Sequence, residues 1–138
     1  MNAGRVLVVD DERDFSSTLS KVLSRRGYAV DSRLSGRAAL AALAETAFEA
    51  VVLDVRMPGM QGREVLDAIR RAAPATQVIL MTGDMSEGAE EAARGGGAFA
   101  YLLKPTPIPN LVAVLDAAIA RARQPGGGAS PGGPDGGR

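Results

Sequence analysis

The chain has 138 residues, a mass of 14.2 kDa and 46% hydrophobic residues, which is typical of one globular domain and excludes a two-domain enzyme. Basic and acidic residues each number 16, so the formal net charge is zero and no overall basic field favours nucleic acid or an anionic membrane. The absence of Cys and His excludes disulfides, thiolate or imidazole metal sites, and Ser-His triads. Any chemistry must therefore depend on carboxylates, hydroxyls, lysine and arginine.

The N-terminal apolar stretch, residues 6–9, is too short for a signal-peptide core or a membrane span. The lack of cysteine also gives no reason to place the chain in an oxidising compartment. The sequence therefore predicts a cytoplasmic protein that binds neither membranes nor nucleic acid through this segment.

Five short apolar runs predict β-strands. Four of them are continuous, as in strands buried on both faces of a parallel sheet: residues 5–9, 50–53, 78–81 and 99–103. The fifth, residues 28–32, alternates apolar with polar side chains, which is typical of a strand at the edge of a sheet.

Segments of helical period separate the strands. Apolar side chains recur every three or four residues in four segments: residues 15–23, 37–43, 65–69 and 111–122. A further helix, the fourth in chain order, is predicted at residues 87–94, where Ser86 could be the N-cap and little apolar surface is present. Gly27 suits the end of the first helix and Ser35 the N-cap of the second. Five strands alternating with five helices predict an α/β, doubly wound parallel sheet with helices on both faces.

The composition changes after Arg123. Residues 124–138 are rich in glycine and proline and contain no apolar side chain larger than alanine. Such a segment cannot bury enough surface to fold. We expect residues 1–123 to form the domain and residues 124–138 to be a disordered tail or linker.

Polar residues follow the predicted strands at the edge where parallel strands place their carboxyl ends: Asp10, Asp11, Asp54, Thr82 and Lys104. Three carboxylates in one crevice need a cation, and oxygen ligands without imidazole or thiolate favour Mg²⁺, with Mn²⁺ as the expected substitute. An ammonium and a hydroxyl are suited to holding a phosphoryl group. The set predicts phosphoryl transfer to or from a carboxylate.

With these residues in place, the sequence from Arg5 to about Arg123 resembles a response regulator receiver domain of bacterial two-component signalling. Four motifs in order carry the resemblance: Val8-Val9-Asp10-Asp11-Glu12, Leu53-Asp54-Val55-Arg56-Met57-Pro58-Gly59-Met60, Met81-Thr82-Gly83, and Gly97-Ala98-Phe99-Ala100-Tyr101-Leu102-Leu103-Lys104-Pro105. The resemblance implies a flavodoxin-like, chemotaxis-regulator-like sheet with strand order 2-1-3-4-5.

The resemblance also implies roles for individual residues. Asp54 would be the phosphoacceptor, taking a phosphoryl group from a histidine kinase or from acetyl phosphate. Mg²⁺ would be held by Asp10, Asp11, Asp54 and the backbone carbonyl of Arg56. The protein would catalyse only its own phosphorylation and dephosphorylation, and in that sense would not be an enzyme.

Further residues would respond to the phosphoryl group. The resemblance implies that Lys104, before a cis peptide bond, and Thr82 would each contact a phosphoryl oxygen. Thr82 and Tyr101 would act as the switch, with Tyr101 turning from exposed to buried; a static strand aromatic is the alternative. Arg56 and Asp84 would tune the lifetime of the phosphoryl group.

The implied partners are a sensor histidine kinase or a phosphotransfer protein. Signals would pass through the surface formed by the fourth predicted helix, the fifth strand and the fifth helix, to a downstream target or to an output domain outside this chain. Phosphorylation-driven homodimerisation through that surface is a further expectation.

Two alternative functions fit part of this pattern. A phosphatase of the haloacid dehalogenase type requires a second aspartate two residues after the nucleophile, where this chain has Arg56. A receiver-like interaction module that no longer accepts phosphate is disfavoured because every expected active-site side chain is present.

Overall fold

The structure is a computed structural model that describes residues 3–54, 62–83 and 95–124. Five strands lie within these ranges: β1 (Arg5–Val9), β2 (Ala29–Arg33), β3 (Ala50–Asp54), β4 (Gln77–Thr82) and β5 (Ala100–Leu103). Four helices accompany them: α1 (Arg13–Arg25), α2 (Gly36–Glu45), α3 (Gly62–Ala72) and α4 (Ile108–Arg123). The predicted helix at residues 87–94 and the tail after residue 124 lie outside the described residues. No helix in the described ranges has the length and apolar character needed to cross a membrane.

The five strands form one parallel sheet in the order β2-β1-β3-β4-β5. This confirms the predicted doubly wound sheet and the position of β2 at its edge. β3 and β4 are buried along their whole lengths, whereas β2 is mostly half-buried. The difference explains why central strands read as continuous apolar runs and the edge strand as an alternating one.

Alternate side chains of the strands build two cores, one on each face of the sheet. On one face, strand residues pack against α1 and α4 through Leu19, Leu23, Leu111, Leu115, Ala118 and Ile119. On the other face they pack against α2 and α3 through Ala39, Ala42, Val65, Leu66 and Ile69. This two-sided burial fixes the sheet, and with it the positions of the strand ends.

Local signals fix the ends of the first two helices. Gly27 follows α1 with a φ of 99°, a left-handed conformation that favours glycine. The Ser35 hydroxyl accepts a hydrogen bond from the Ala38 N–H at 3.2 Å, as expected of the N-cap of α2. Both assignments made from the sequence are confirmed.

One long-range contact joins α4 to the start of β2. The Tyr28 hydroxyl donates a hydrogen bond to Asp116, 88 residues later in the chain. Burial, together with the hydrogen bond and the negative charge of Asp116, raises the pKa of Tyr28 to about 12. The phenol therefore stays protonated and keeps α4 attached to this corner of the sheet.

An ion pair attaches the end of α4 at the amino-terminal edge of the sheet. The Arg123 guanidinium donates to both carboxylate oxygens of Glu49, and the Arg5 backbone N–H donates to Glu49 Oε1 at 3.0 Å. Burial opposes the charged carboxylate, but the hydrogen bonds from Arg123 and Arg5 and the charge of Arg123 outweigh it. The pKa of Glu49 therefore lies below its ordinary value of 4.5.

This lowered pKa predicts a pH-dependent contribution to stability. A carboxyl whose pKa is lower in the folded state stabilises the protein above the unfolded pKa, and the contribution is lost as pH falls through the folded pKa. Glu49→Gln should therefore lower the free energy of unfolding at neutral pH, and the difference from the parent should shrink as pH falls below about 4.5. Urea unfolding at several pH values measures it, with exposed Glu45→Gln as the control. An equal difference at every pH would contradict the prediction.

Candidate functional site

The ends of three strands bring the predicted site residues together. Asp10 follows β1, Asp54 ends β3, and Lys104 follows β5, with the Lys104 backbone N–H donating to the Thr82 carbonyl at 2.7 Å. The Lys104 ammonium reaches back to the carboxylates and lies 2.7 Å from Asp10 Oδ2 and 3.4 Å from Asp54 Oδ2. The structure thus brings together side chains that lie up to 94 positions apart in the sequence, as the sequence predicted.

The Lys104 side chain is the electrostatic centre of the site. It is 15% exposed and lies between carboxylates of Asp10 and Asp54 that are 2% and 8% exposed. Burial disfavours the charged ammonium, but the hydrogen bond to Asp10 and the charges of both carboxylates outweigh this effect and raise the pKa of Lys104. Lys104 therefore remains a cation, and its charge offsets part of the repulsion between the aspartates.

Three carboxylates could share a metal ion. Oxygens of Asp10, Glu12 and Asp54 all lie within 4.8 Å of one another. These donors are all hard oxygen ligands, and two of the three residues are buried, so the group fits Mg²⁺. The chemistry of the donor set agrees with the prediction of an acidic metal pocket.

Glu12 enters this group where the sequence pointed to Asp11. Asp10 Oδ1 accepts a hydrogen bond from the Glu12 backbone N–H at 2.9 Å, forming a tight turn between β1 and α1. The Asp11 side chain is exposed, and its carboxylate is not part of the group. The assignment of Asp11 as a ligand stays a prediction, while Glu12 is an additional candidate whose signal was its place in the acidic run Asp10-Asp11-Glu12.

Sequence reasoning also missed the contact between Lys104 and Phe15. The Lys104 ammonium lies 4.3 Å from the centroid of the Phe15 ring, within the range of a cation–π interaction. Phe15 was predicted only as part of the buried stripe of α1. Nothing in the helical period could reveal that its ring faces a lysine 89 positions away.

The predicted switch residues are both buried. Thr82 is 1% exposed and Tyr101 is 9% exposed, and Tyr101 packs in the core on the α2 and α3 side of the sheet. Tyr101 is therefore in the buried arrangement that the resemblance associates with the phosphorylated state. Its movement stays a prediction.

The remaining predictions about the site concern one peptide bond and two charged residues. The Lys104–Pro105 peptide bond is cis, as the resemblance implied. Arg56 and Asp84, the residues predicted to tune the phosphoryl lifetime, lie outside the described residues, so their roles stay predictions.

Comparisons with known proteins agree with the fold and the site. Residues 6–116 match the family model described as the response regulator receiver domain. A response regulator receiver protein of Anaeromyxobacter sp. (strain Fw109-5) is 39% identical over 108 residues, covering 78% of this chain and 45% of that protein. The transcriptional regulatory protein TcrA of Mycobacterium tuberculosis is 38% identical, covering 88% and 48%. The chain therefore spans about half the length of these curated relatives.

A solved structure of a receiver domain has the same fold as this chain. The solution structure of the beryllofluoride-activated NtrC4 receiver domain dimer is 35% identical and superposes with a TM-score of 0.81, covering 86% of this chain and 98% of that one. The family match spans all five strands except the first residue of β1, and Asp10, Asp54 and Lys104, which meet at the carboxyl edge of the sheet, belong to the motifs that carried the resemblance. The chain therefore belongs to the response regulator receiver domain family of two-component signalling.

Proposed function

We propose that Asp54 of this receiver domain is the phosphoacceptor. The observation that carries the proposal is the Lys104 ammonium, which bridges the carboxylates of Asp10 and Asp54 at 2.7 and 3.4 Å. A buried carboxylate beside a fixed cation has a partner for the negative charge that a phosphoryl group brings. Asp54 also ends a central strand at the edge where ligands bind in sheets of this kind.

The reaction requires little covalent work from the protein. A carboxylate oxygen of Asp54 forms a bond to the phosphorus of a histidine phosphate or acetyl phosphate. The bond from phosphorus to the leaving group breaks, and its electron pair goes to the imidazole nitrogen or the acetate oxygen that departs. Lys104 and Thr82 hold oxygens of the transferred group. When bound, Mg²⁺ would neutralise charge as the nucleophile and the donor approach each other.

Several residues of this chain would hold the metal. We assign Asp10, Asp54 and Asp11, together with the Arg56 carbonyl, as ligands and add Glu12 as a candidate because its carboxylate lies in the acidic group. Mn²⁺ should substitute because it prefers the same oxygen donors. The protein modifies only itself, so it acts as a switch and not as an enzyme with an external substrate.

We further propose that the phosphoryl group acts on partners through Thr82 and Tyr101. The phosphoryl donor would be a sensor histidine kinase or phosphotransfer protein in the cytoplasm. The phosphorylated chain would present the surface around β5 and α4 to a downstream target, an output domain or a second copy of itself. An output domain is supported by the relatives, which extend well beyond the part that this chain matches.

Intact-protein mass spectrometry after incubation with acetyl phosphate tests the proposal. The parent should gain one phosphoryl group in the presence of Mg²⁺ and none when Mg²⁺ is chelated. Asp54→Ala should gain none under either condition, and Asp14→Ala, which removes an exposed carboxylate of α1, should behave like the parent. A gain that persists in Asp54→Ala would overturn the assignment of the nucleophile.

If the parent gains no phosphoryl group, two explanations remain. Either the protein accepts phosphate only from a histidine kinase, or it is an interaction module that no longer accepts phosphate. Binding of beryllofluoride in the presence of Mg²⁺ separates these two outcomes. Binding would retain Asp54 as the acceptor, and no binding would favour the interaction module.

A further inference from the structure

The Lys104 ammonium has two kinds of neighbour. Carboxylate oxygens surround one side, with Asp10 at 2.7 Å, Asp54 at 3.4 Å and Glu12 at 3.6 Å. On another side the face of the Phe15 ring lies 4.3 Å away. Phe15 sits in the first turns of α1, half-buried against the core that α1 shares with α4. Its position is therefore fixed by packing and does not depend on the charges in the site.

The carboxylates alone are poor anchors for the ammonium during the proposed reaction. Their oxygens are the ones that fit a divalent cation, so a metal ion would compete with Lys104 for Asp10 and Asp54. A lysine has a flexible four-carbon stem and loses considerable rotamer entropy when its ammonium is held in one place. If the ion pairs weaken, only a contact that the metal does not use can keep the ammonium beside Asp54.

The Phe15 ring supplies such a contact. The negative face of an aromatic ring attracts an ammonium, and the attraction is stronger where water is partly excluded, as it is around the 15% exposed Lys104 side chain. A ring has no oxygen donor, so Mg²⁺ does not compete for it. An aliphatic side chain at this position would fill the same space without attracting the cation.

We propose that Phe15 is a positioning residue for Lys104, whose ring keeps the ammonium beside Asp54 when a divalent cation binds the carboxylates. The inference rests on the proposed function, because the benefit arises in phosphoryl transfer to Asp54. The contact itself is a property of the unmodified protein and can be measured separately.

Nuclear magnetic resonance of the lysine side chains tests the contact directly. The chain has two lysines, Lys104 and the exposed Lys21, so Lys21 serves as an internal reference. Ring current from Phe15 should move the ε-methylene protons of Lys104 upfield of those of Lys21, both before and after saturation with Mg²⁺. Phe15→Tyr and Phe15→Trp should keep the upfield shift, and Phe15→Leu should abolish it. Loss of the shift in the parent on adding Mg²⁺ would overturn the inference.

The rate of phosphorylation by acetyl phosphate tests the consequence for the reaction. This donor is a small molecule, so the measured rate does not depend on docking of a partner protein on α1. At saturating Mg²⁺, Phe15→Leu should slow the reaction by about three- to tenfold, the range expected for losing one partly desolvated cation–π contact. Phe15→Tyr and Phe15→Trp should stay within about twofold of the parent.

A control distinguishes positioning from general loss of stability. Val22→Ala shortens a half-buried side chain seven residues further along the same helix and should leave the rate unchanged. Equal slowing in Phe15→Leu and Phe15→Tyr, or no slowing in Phe15→Leu, would overturn the inference. If the parent itself gains no phosphoryl group, the proposed function fails, while the Mg²⁺ titration of the ring-current shift still decides whether Phe15 holds Lys104.

Discussion

Replacing Lys104 with methionine is expected to slow phosphoryl transfer to Asp54 by about 100-fold, the size typical of losing one preorganised electrostatic contact to a developing charge. Methionine keeps an unbranched stem of similar length but has no charge. The ammonium that lies 3.4 Å from Asp54 Oδ2 would no longer be available for an incoming phosphoryl oxygen. The rate of phosphorylation by acetyl phosphate at saturating Mg²⁺ measures the effect.

The same variant should bind Mg²⁺ more tightly before any phosphoryl group arrives. Lys104 and a divalent cation depend on the same oxygens of Asp10 and Asp54, so removing the ammonium removes a competitor. We expect a gain in affinity of about tenfold, within the usual range of coupling between two ligands of one site. Isothermal titration calorimetry measures it, and Lys21→Met, which removes an exposed lysine, should match the parent. Weaker Mg²⁺ binding in Lys104→Met would contradict this account of the site.

Leu115→Ala is expected to lower the free energy of unfolding by about 3 kcal/mol, a typical cost of emptying a leucine site in a close-packed core. Leu115 is fully buried in α4 and belongs to the core that joins α1 and α4 to one face of the sheet. The loss combines the transfer free energy of the removed methyl and methylene groups with the cost of the cavity.

The matched control is the same substitution at an exposed position. Leu103 at the end of β5 is 48% exposed, so Leu103→Ala should cost less than about 1 kcal/mol because little packing is removed. Urea unfolding followed by circular dichroism compares the two variants. Equal losses would mean that α4 is held to the sheet by contacts other than this core.

Much of the fold could be predicted because each strand carries its own signal. The run from Arg5 to Val9 predicts β1 with its observed bounds, since a strand buried on both faces must be continuously apolar. Alternation in residues 28–32 placed β2 at the sheet edge for the same reason. Once parallel strands are recognised, their carboxyl ends must share one edge, and so the meeting of Asp10, Asp54 and Lys104 was predictable.

Two other contacts between distant side chains were decided only by the tertiary structure. The period of α1 identifies Phe15 as an apolar position, but the direction in which its ring faces Lys104 depends on how α1 lies on the sheet. The pairing of Glu49 with Arg123 likewise depends on where α4 ends relative to the start of β3.

The acidic run shows the same limit at the scale of a single turn. The sequence determined that carboxylates gather after β1, because a charged run must leave the core at the end of a buried strand. Which of them lie close together was set by the turn, in which the Asp10 side chain accepts the Glu12 N–H, the Glu12 carboxylate lies near those of Asp10 and Asp54, and the Asp11 side chain is exposed. Local patterns in the sequence thus determined the helices, the strands and the sheet edge that holds the site. The geometry of the site was determined by how the helices lie on the sheet and by this turn. These two features could be found only in the tertiary structure, because neither of them leaves a repeating signal in the sequence.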